Sequence, residues 1–309
     1  MSRSRPLFAR TGRAKPEASH LLAWLLTAAL SIATALLALP ASAQTGARLP
    51  PPVATVPTVD VELVLAVDVS LSMDLDEQRL QRDGYVQAFR HPDVIRAITT
   101  GGLGRISVIY FEWAGAGIHS IVLDWRVVDS AETALRFADD LAAKPISRAR
   151  MTSISSAMDF AGMLFQSSGE RGTRRVVDIS GDGPNNSGRP VTVARDDLVS
   201  QGVTINGLPI LLKGNSRSGF FDVANLDSYY RDCVIGGAGA FVIPVKAASE
   251  FPTAIRKKLL LEIAGRMPDR APRFVRTQAP AGPPATAAAS DCMVGERLWQ
   301  RYLIDRFSE

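Results

Sequence analysis

The chain has 309 residues, 46% hydrophobic and 21% charged, the composition of an ordinary globular protein and not of a disordered or fibrous one. Five of its 35 basic residues but only one of its 31 acidic residues lie in the first 43 positions, so the remainder carries 30 of each and no net charge. The sequence pI of 9.3 therefore belongs to the N-terminal segment. With no basic, aromatic-interleaved patch elsewhere, nucleic acid is excluded as a partner.

In the N-terminal segment, Arg3, Arg5, Arg10, Arg13 and Lys15 precede an apolar run from Leu21 to Leu39, followed by Pro40 and Ala41-Ser42-Ala43. That pattern predicts an export signal over residues 1–43, cleaved after Ala43, and a periplasmic or secreted protein. The run is also long enough to span a bilayer, so an uncleaved inner-membrane anchor is the alternative. Membrane contact is expected through this segment alone. Residues 44–58 form a Pro-rich leader.

Residues 59–266 carry the pattern of a folded domain. Val59–Val67 is a β-branched and aliphatic run suited to a strand buried on both faces. Leu75–Thr100 reads as a long helix, kinked or split at Pro92. Ile106–Trp113 and Ile118–Val128, joined across Ala114–Gly117, must form an antiparallel hairpin. There follow helices over Ser130–Ala143 and Ser153–Phe165, a strand over Arg175–Ile179 and a helix over Thr192–Gln201. A strand over Val203–Ile210, a helix over Leu226–Cys233 and a last strand over Ala240–Val245 come next. Ser249–Ala264 closes the domain as an amphipathic helix with Lys and Arg on its outer face. Strands alternating with helices predict an α/β fold, a doubly wound and mostly parallel sheet with one antiparallel edge hairpin and helices on both faces.

Residues 267–290 are an Ala/Pro-rich linker, and residues 291–309 form a short segment in which Leu298, Tyr302, Leu303 and Phe307 are spaced for a helix. Cys233 and Cys292 are the only cysteines. In an oxidising compartment one disulfide between them is expected, with two independent buried thiols as the alternative.

Open parallel sheets bind ligands beyond the carboxyl ends of their strands. Asp68, Ser70 and Ser72 stand at alternate positions past the first strand, so their side chains project the same way. Asp182 follows the strand ending at Ile179, inside a Gly-Asp-Gly loop. Thr152 precedes a helix, as an N-cap or as a further donor. Small hard oxygen donors of this kind suit Mg²⁺, Mn²⁺ or Ca²⁺ better than zinc. Asn185 and Asn186 read as turn residues, and Asp74 and Asp76 as partners of the helix dipole.

Asp68-x-Ser70-x-Ser72, then Thr152 before a helix, then Asp182-Gly183 after a strand, resembles the metal-ion-dependent adhesion site of the von Willebrand factor A family. The resemblance covers about Val59 to Gly265 and implies a Rossmann-like fold. Val177–Pro209, with Ser-Gly-Asp-Gly-Pro-Asn-Asn and Thr-Ile-Asn-Gly-Leu-Pro-Ile, further resembles an uncharacterised group of exported bacterial proteins with this domain. The family implies Ser70, Ser72 and Thr152 as direct or water-linked donors, with Asp68 and Asp182 acting through water or from behind them. This chain departs from the family at Gly181, where Thr is usual before the Asp, and at Arg150-Met151, where small residues are common.

Enzymatic readings fare poorly. A haloacid-dehalogenase-type phosphatase needs a second Asp where Ser70 stands. There is no Gly-x-Ser-x-Gly elbow or phosphate loop, and beyond the signal the only histidines are His91 and His119. The sequence therefore predicts a divalent-cation-dependent, adhesion-type module, Mg²⁺ favoured, that captures a protein partner presenting an Asp or Glu carboxylate. The alternatives are a metal-dependent hydrolase using the same site, or a metal-independent scaffold binding around Tyr110, Phe111 and Trp113 of the hairpin.

Overall fold

The computed structural model describes residues 58–212, 223, 225–265 and 290–307. The expected signal, most of the leader and nearly all of the linker lie outside those residues. The chain divides into Met1–Ala54 and Thr55–Glu309, and every element below belongs to the second unit. No helix among the described residues is long and apolar enough to cross a membrane.

β1 (Thr58–Asp68) is the middle strand of five. α1 (Leu75–Arg90) and α2 (Pro92–Thr99) follow, then the hairpin of β2 (Ile106–Trp113) and β3 (His119–Val128). Next come α3 (Ala131–Ala142), α4 (Ile154–Gln166), β4 (Arg171–Gly181), α5 (Val191–Ser200) and β5 (Val203–Pro209). α6 (Leu226–Tyr229) runs into a π-helical turn at Tyr230–Val234, and α7 (Phe251–Ala264) and α8 (Val294–Phe307) complete the chain. The sheet order is β3-β2-β1-β4-β5; β1 pairs in parallel with β2 and β4, β4 with β5, and only β2–β3 is antiparallel.

The period of two in β1 divides the core. Val61, Leu63, Leu65 and Val67 point to one side, where α1, α2, α3 and α7 contribute Phe89, Ile98, Phe137 and Leu259. Val64 and Ala66 point to the other, covered by α4, α5 and α6. Burying each of these Val and Leu side chains contributes about 1.5–3 kcal/mol, so this strand is a rigid base for the loop that leaves it. The helix starts are set locally. Asp74 caps α1 by accepting from the N–H groups of Asp76 and Glu77, each at 2.8 Å, and Glu77 returns a bond to the Asp74 N–H. Pro92 opens α2, and His91 ends one helix and caps the next.

Three expectations are corrected. Ala240–Val245 is not a strand; it meets β5 and its extension at the isolated bridges Gly207–Val242 and Ile210–Val245. Gly207 N–H donates to the Phe241 carbonyl and Leu211 N–H to the Val245 carbonyl, but Pro209 between them has no N–H to donate, so the ladder is interrupted there. The basic residues of α7 do not all face outward: Lys258 is fully buried and ion-paired with Asp178 and Glu262. Tyr110, Phe111 and Trp113 are fully buried, so the hairpin offers no aromatic binding surface there.

Candidate functional site

β1 ends at Asp68, and the loop beyond it is pinned before its side chains are placed. Val69 N–H donates to the Trp113 carbonyl at 2.9 Å, Ala149 N–H to the Val69 carbonyl at 3.2 Å, and Met73 N–H to the Ser70 carbonyl at 3.1 Å. The hydroxyls of Ser70 and Ser72 then stand 2.7 Å apart. Ser72 Oγ donates to Asp182 Oδ1 at 2.5 Å, joining loops 110 residues apart in sequence.

Asp68 lies beneath them and is fully buried. Its Oδ1 accepts the Ser70 N–H at 2.7 Å, while Oδ2 is buried and makes no hydrogen bond. A Cβ on Gly181 would stand 2.7 Å from Asp68 Oδ2 and 2.9 Å from the Tyr230 hydroxyl. Asp68 and the tyrosine of the π-helical turn thus occupy the space a threonine would need, which accounts for glycine at the position where this chain departs from the adhesion-site pattern it resembles.

Thr152 arrives on a third loop. The N-cap of α4 is Ser153, whose side chain accepts from Ser156 N–H, so capping does not consume the Thr152 hydroxyl. Met151 adopts a left-handed φ of 70°, a conformation costing a non-glycine residue about 1–3 kcal/mol that must be held by its surroundings. Gly115 supplies that support: its N–H donates to the Arg150 carbonyl at 3.1 Å, and its lack of a side chain lets the loop pass against it.

The residues that lock these loops are ones the sequence reading set aside as turn formers. Asn186 brackets Thr152, its Oδ1 accepting the Thr152 N–H at 2.9 Å and its own N–H donating to the Thr152 carbonyl at 2.8 Å. Asn185 is fully buried; its Oδ1 accepts Ser155 N–H at 3.0 Å in the first turn of α4. Its Nδ2 donates to the Arg189 carbonyl and to Glu296 of α8. The only local signal for them was adjacency to Asp182. His91 and His119 are structural: the first caps α2 and the second stacks on Phe160 with ring centroids 4.5 Å apart.

Ser70, Ser72, Thr152 and Asp182 therefore surround one cleft of about 410 Å³, with Asp68 directly below. Burial and the nearby Asp182 carboxylate push the Asp68 carboxyl up to about 8, because two negative groups share a space with little solvent. No group of three or more His, Cys, Asp or Glu side chains able to hold a metal occurs among the described residues. Any ion here would depend on hydroxyls. Three hydroxyls and two carboxylates, one of them with a buried oxygen that makes no hydrogen bond, fit a hard divalent cation in number and chemistry.

The family model "Protein of unknown function (DUF1194)" matches residues 58–267, most of the chain. The chain belongs to the DUF1194 family. No curated protein sequence matches it. Among solved structures, proximal thread matrix protein 1 from the mussel byssus superposes with a TM-score of 0.49 at 14% identity, over 67% of this chain and 49% of its own. Another structure of that mussel protein, with a zinc-occupied MIDAS motif, gives 0.46 at 13% identity over 67% and 49%. The von Willebrand factor type A protein from Catenulispora acidiphila gives 0.43 at 15% identity over 67% and 43%. The DUF1194 chain spans about half the length of the mussel protein, and the likeness concerns the chain path and nothing finer. With its mostly parallel five-stranded sheet, single antiparallel edge and helices on both faces, this DUF1194 domain has a doubly wound α/β fold.

Proposed function

We propose that this domain is an exported, divalent-cation-dependent binding module that captures a carboxylate-bearing protein partner at the rim above β1 and β4. The observation carrying this reading is the convergence of Ser70, Ser72, Thr152 and Asp182 around one cleft, above a buried Asp68 oxygen that no hydrogen bond satisfies. Ser70, Ser72 and Thr152 would present hydroxyl oxygens to the cation. Asp68 holds the Ser70 backbone and, once the cation displaces its proton, would add negative charge from below, and Asp182 fixes the Ser72 hydroxyl. When bound, the ion supplies positive charge and an open coordination position for an incoming Asp or Glu carboxylate. Neutral hydroxyls compensate little of that charge, so the pull on an outside carboxylate stays strong. Mg²⁺ is the preferred ion of this reading, with Mn²⁺ and Ca²⁺ as alternatives.

Export fits the Ala-x-Ala pattern ending at Ala43 and the Cys233–Cys292 disulfide, since such bridges persist in oxidising compartments. The mass of the protein recovered from the envelope should correspond to a chain starting at Gln44; an intact N-terminus would favour the anchor.

Calorimetric titration of the protein with Mg²⁺, Mn²⁺ and Ca²⁺ tests the metal reading. Heat of binding at a single site is expected from the native chain, and its loss from Ser70→Ala and Asp68→Ala. Flat traces from the native protein with all three cations would end it.

A further inference from the structure

Part of the cleft wall comes from outside the domain that the family model covers. The disulfide between Cys233 and Cys292, with Cα atoms 5.4 Å apart, fixes the start of the C-terminal segment to the π-helical turn behind Asp68. Ser290 N–H donates to Asp232 Oδ2 at 3.1 Å beside it. Gly295 lies so close to the Asp182 loop that a Cβ there would sit 2.0 Å from the Asn185 carbonyl oxygen, and Glu296 accepts from Asn185 Nδ2 at 2.7 Å. These contacts set the direction of α8. Trp299, Tyr302 and Arg306, spaced to share one helical face, line the same cleft as Ser70, Thr152 and Asp182. The two aromatic rings stack with centroids 5.4 Å apart, and Arg306 Nη1 donates to the Tyr302 hydroxyl at 2.6 Å. Leu71, 46% exposed, and Met151 contribute further apolar surface, and Arg150 a second guanidinium.

We infer that α8 makes this cleft a receptor for a short peptide segment in which an acidic residue is followed by an apolar one, an inference that rests on the cation reading above. The cleft has the volume of one or two side chains and not the breadth of a flat protein face, so the ligand enters as an extended segment. Its carboxylate reaches the hydroxyl loops on the side where Arg150 and Arg306 add positive charge. Its apolar neighbour lies on the Trp299–Tyr302 wall, where aromatic rings offer large contact area at small entropic cost. Trp299 and Tyr302 are then specificity-determining residues, and the disulfide is the device that keeps them in place.

The test uses the full exported chain, saturating Mg²⁺ and three blocked peptides: acetyl-Gly-Asp-Leu-Gly-amide and its versions with Asn for Asp or Gly for Leu. Binding is followed by the indole N–H resonance of Trp299, identified by its absence from Trp299→Phe. Mg²⁺ affinity is measured separately by calorimetry. The Asp-Leu peptide should shift the resonance, the Asn version should not, and the Asp-Gly version should bind about tenfold more weakly, as loss of one partly buried leucine contact implies. Tyr302→Ala should weaken the Asp-Leu peptide by a similar factor while retaining native Mg²⁺ affinity. Equal affinity for the Leu and Gly peptides, unchanged binding by Tyr302→Ala, or tighter binding by that variant (α8 as a cover) would overturn the inference. Mg²⁺ binding with no peptide response also overturns it, yet leaves the cation site standing; absence of Mg²⁺ binding overturns both.

Discussion

At Gly115 a Cβ would stand 2.8 Å from the Arg150 carbonyl oxygen and 2.9 Å from Met151 Cβ, backbone-side atoms that cannot swing away. Gly115→Ala is therefore expected to lower stability by about 1–3 kcal/mol in urea denaturation, the usual cost of overpacking. It should also weaken cation binding by displacing Thr152; unchanged stability and affinity would mean the loop tolerates other paths. Asn185→Ala strips acceptor and donor from a buried junction of three segments and should cost about 1–3 kcal/mol by the same measurement. These two kinds of residue differ in legibility. Asp68, Ser70 and Ser72 could be read because alternation after an apolar strand is written locally, with a period of two. Asn185 could not, since an amide that bridges loops from different parts of the chain looks, in sequence, like any turn asparagine. Gly181 was legible only as a departure from a pattern; its cause, the Tyr230 hydroxyl, arrives from a segment far away in the chain.

Among the elements, α7 shows where helical periodicity falls short. Arg256, Lys257 and Lys258 are consecutive and spread over about 200° of the helix, so they do not share one face, and the pattern does not say which of them turns inward. Lys258 is the one, placed between Asp178 of β4 and Glu262 one turn on, with Asn206 of β5 donating to Glu262 at 3.0 Å. One buried ammonium faces two buried carboxylates. Burial and the neighbouring Asp178 push the Glu262 carboxyl up from 4.5 to about 7. A carboxyl raised on folding holds its proton more tightly in the native state, so its contribution is full below about 4.5 and is lost as pH rises through about 7. Stability measured across that window should fall with rising pH in the native chain and fall less in Glu262→Gln. Parallel curves for the two proteins would contradict the assignment. The missing sixth strand has a cause outside the run itself: Ala240–Val245 has strand composition, and Ile243 and Val245 donate to the Gly207 and Pro209 carbonyls, but Pro209 has no N–H to return a bond.

For the whole molecule, the mostly parallel sheet with one antiparallel edge follows from the alternation of strands and helices, with one hairpin too short to cross over. The place of α8 does not follow from it. The two cysteines point to a bridge, and the bridge alone cannot say that the helix beyond it lines the cleft. Among the described residues of that segment only Cys292 and Val294 reach the apolar core, so the core itself does not require α8. Cys292→Ser should therefore speed amide hydrogen exchange in α8 while β1 keeps its protection. Loss of protection in β1 as well would show that the tail is part of the fold. Closing a loop with a sequence separation of 59 contributes about 4 kcal/mol in the chain-entropy account, here spent on holding α8.

The claim on which these readings depend is that loops from three parts of the chain share one ion, and anomalous diffraction from crystals grown with Mn²⁺ tests it most directly. The account predicts a single manganese peak within about 2.5 Å of the Ser70 and Ser72 hydroxyl oxygens, with Thr152 and Asp182 in direct or water-linked reach. A structure with manganese elsewhere, or with none at this rim at saturating concentration, would contradict it.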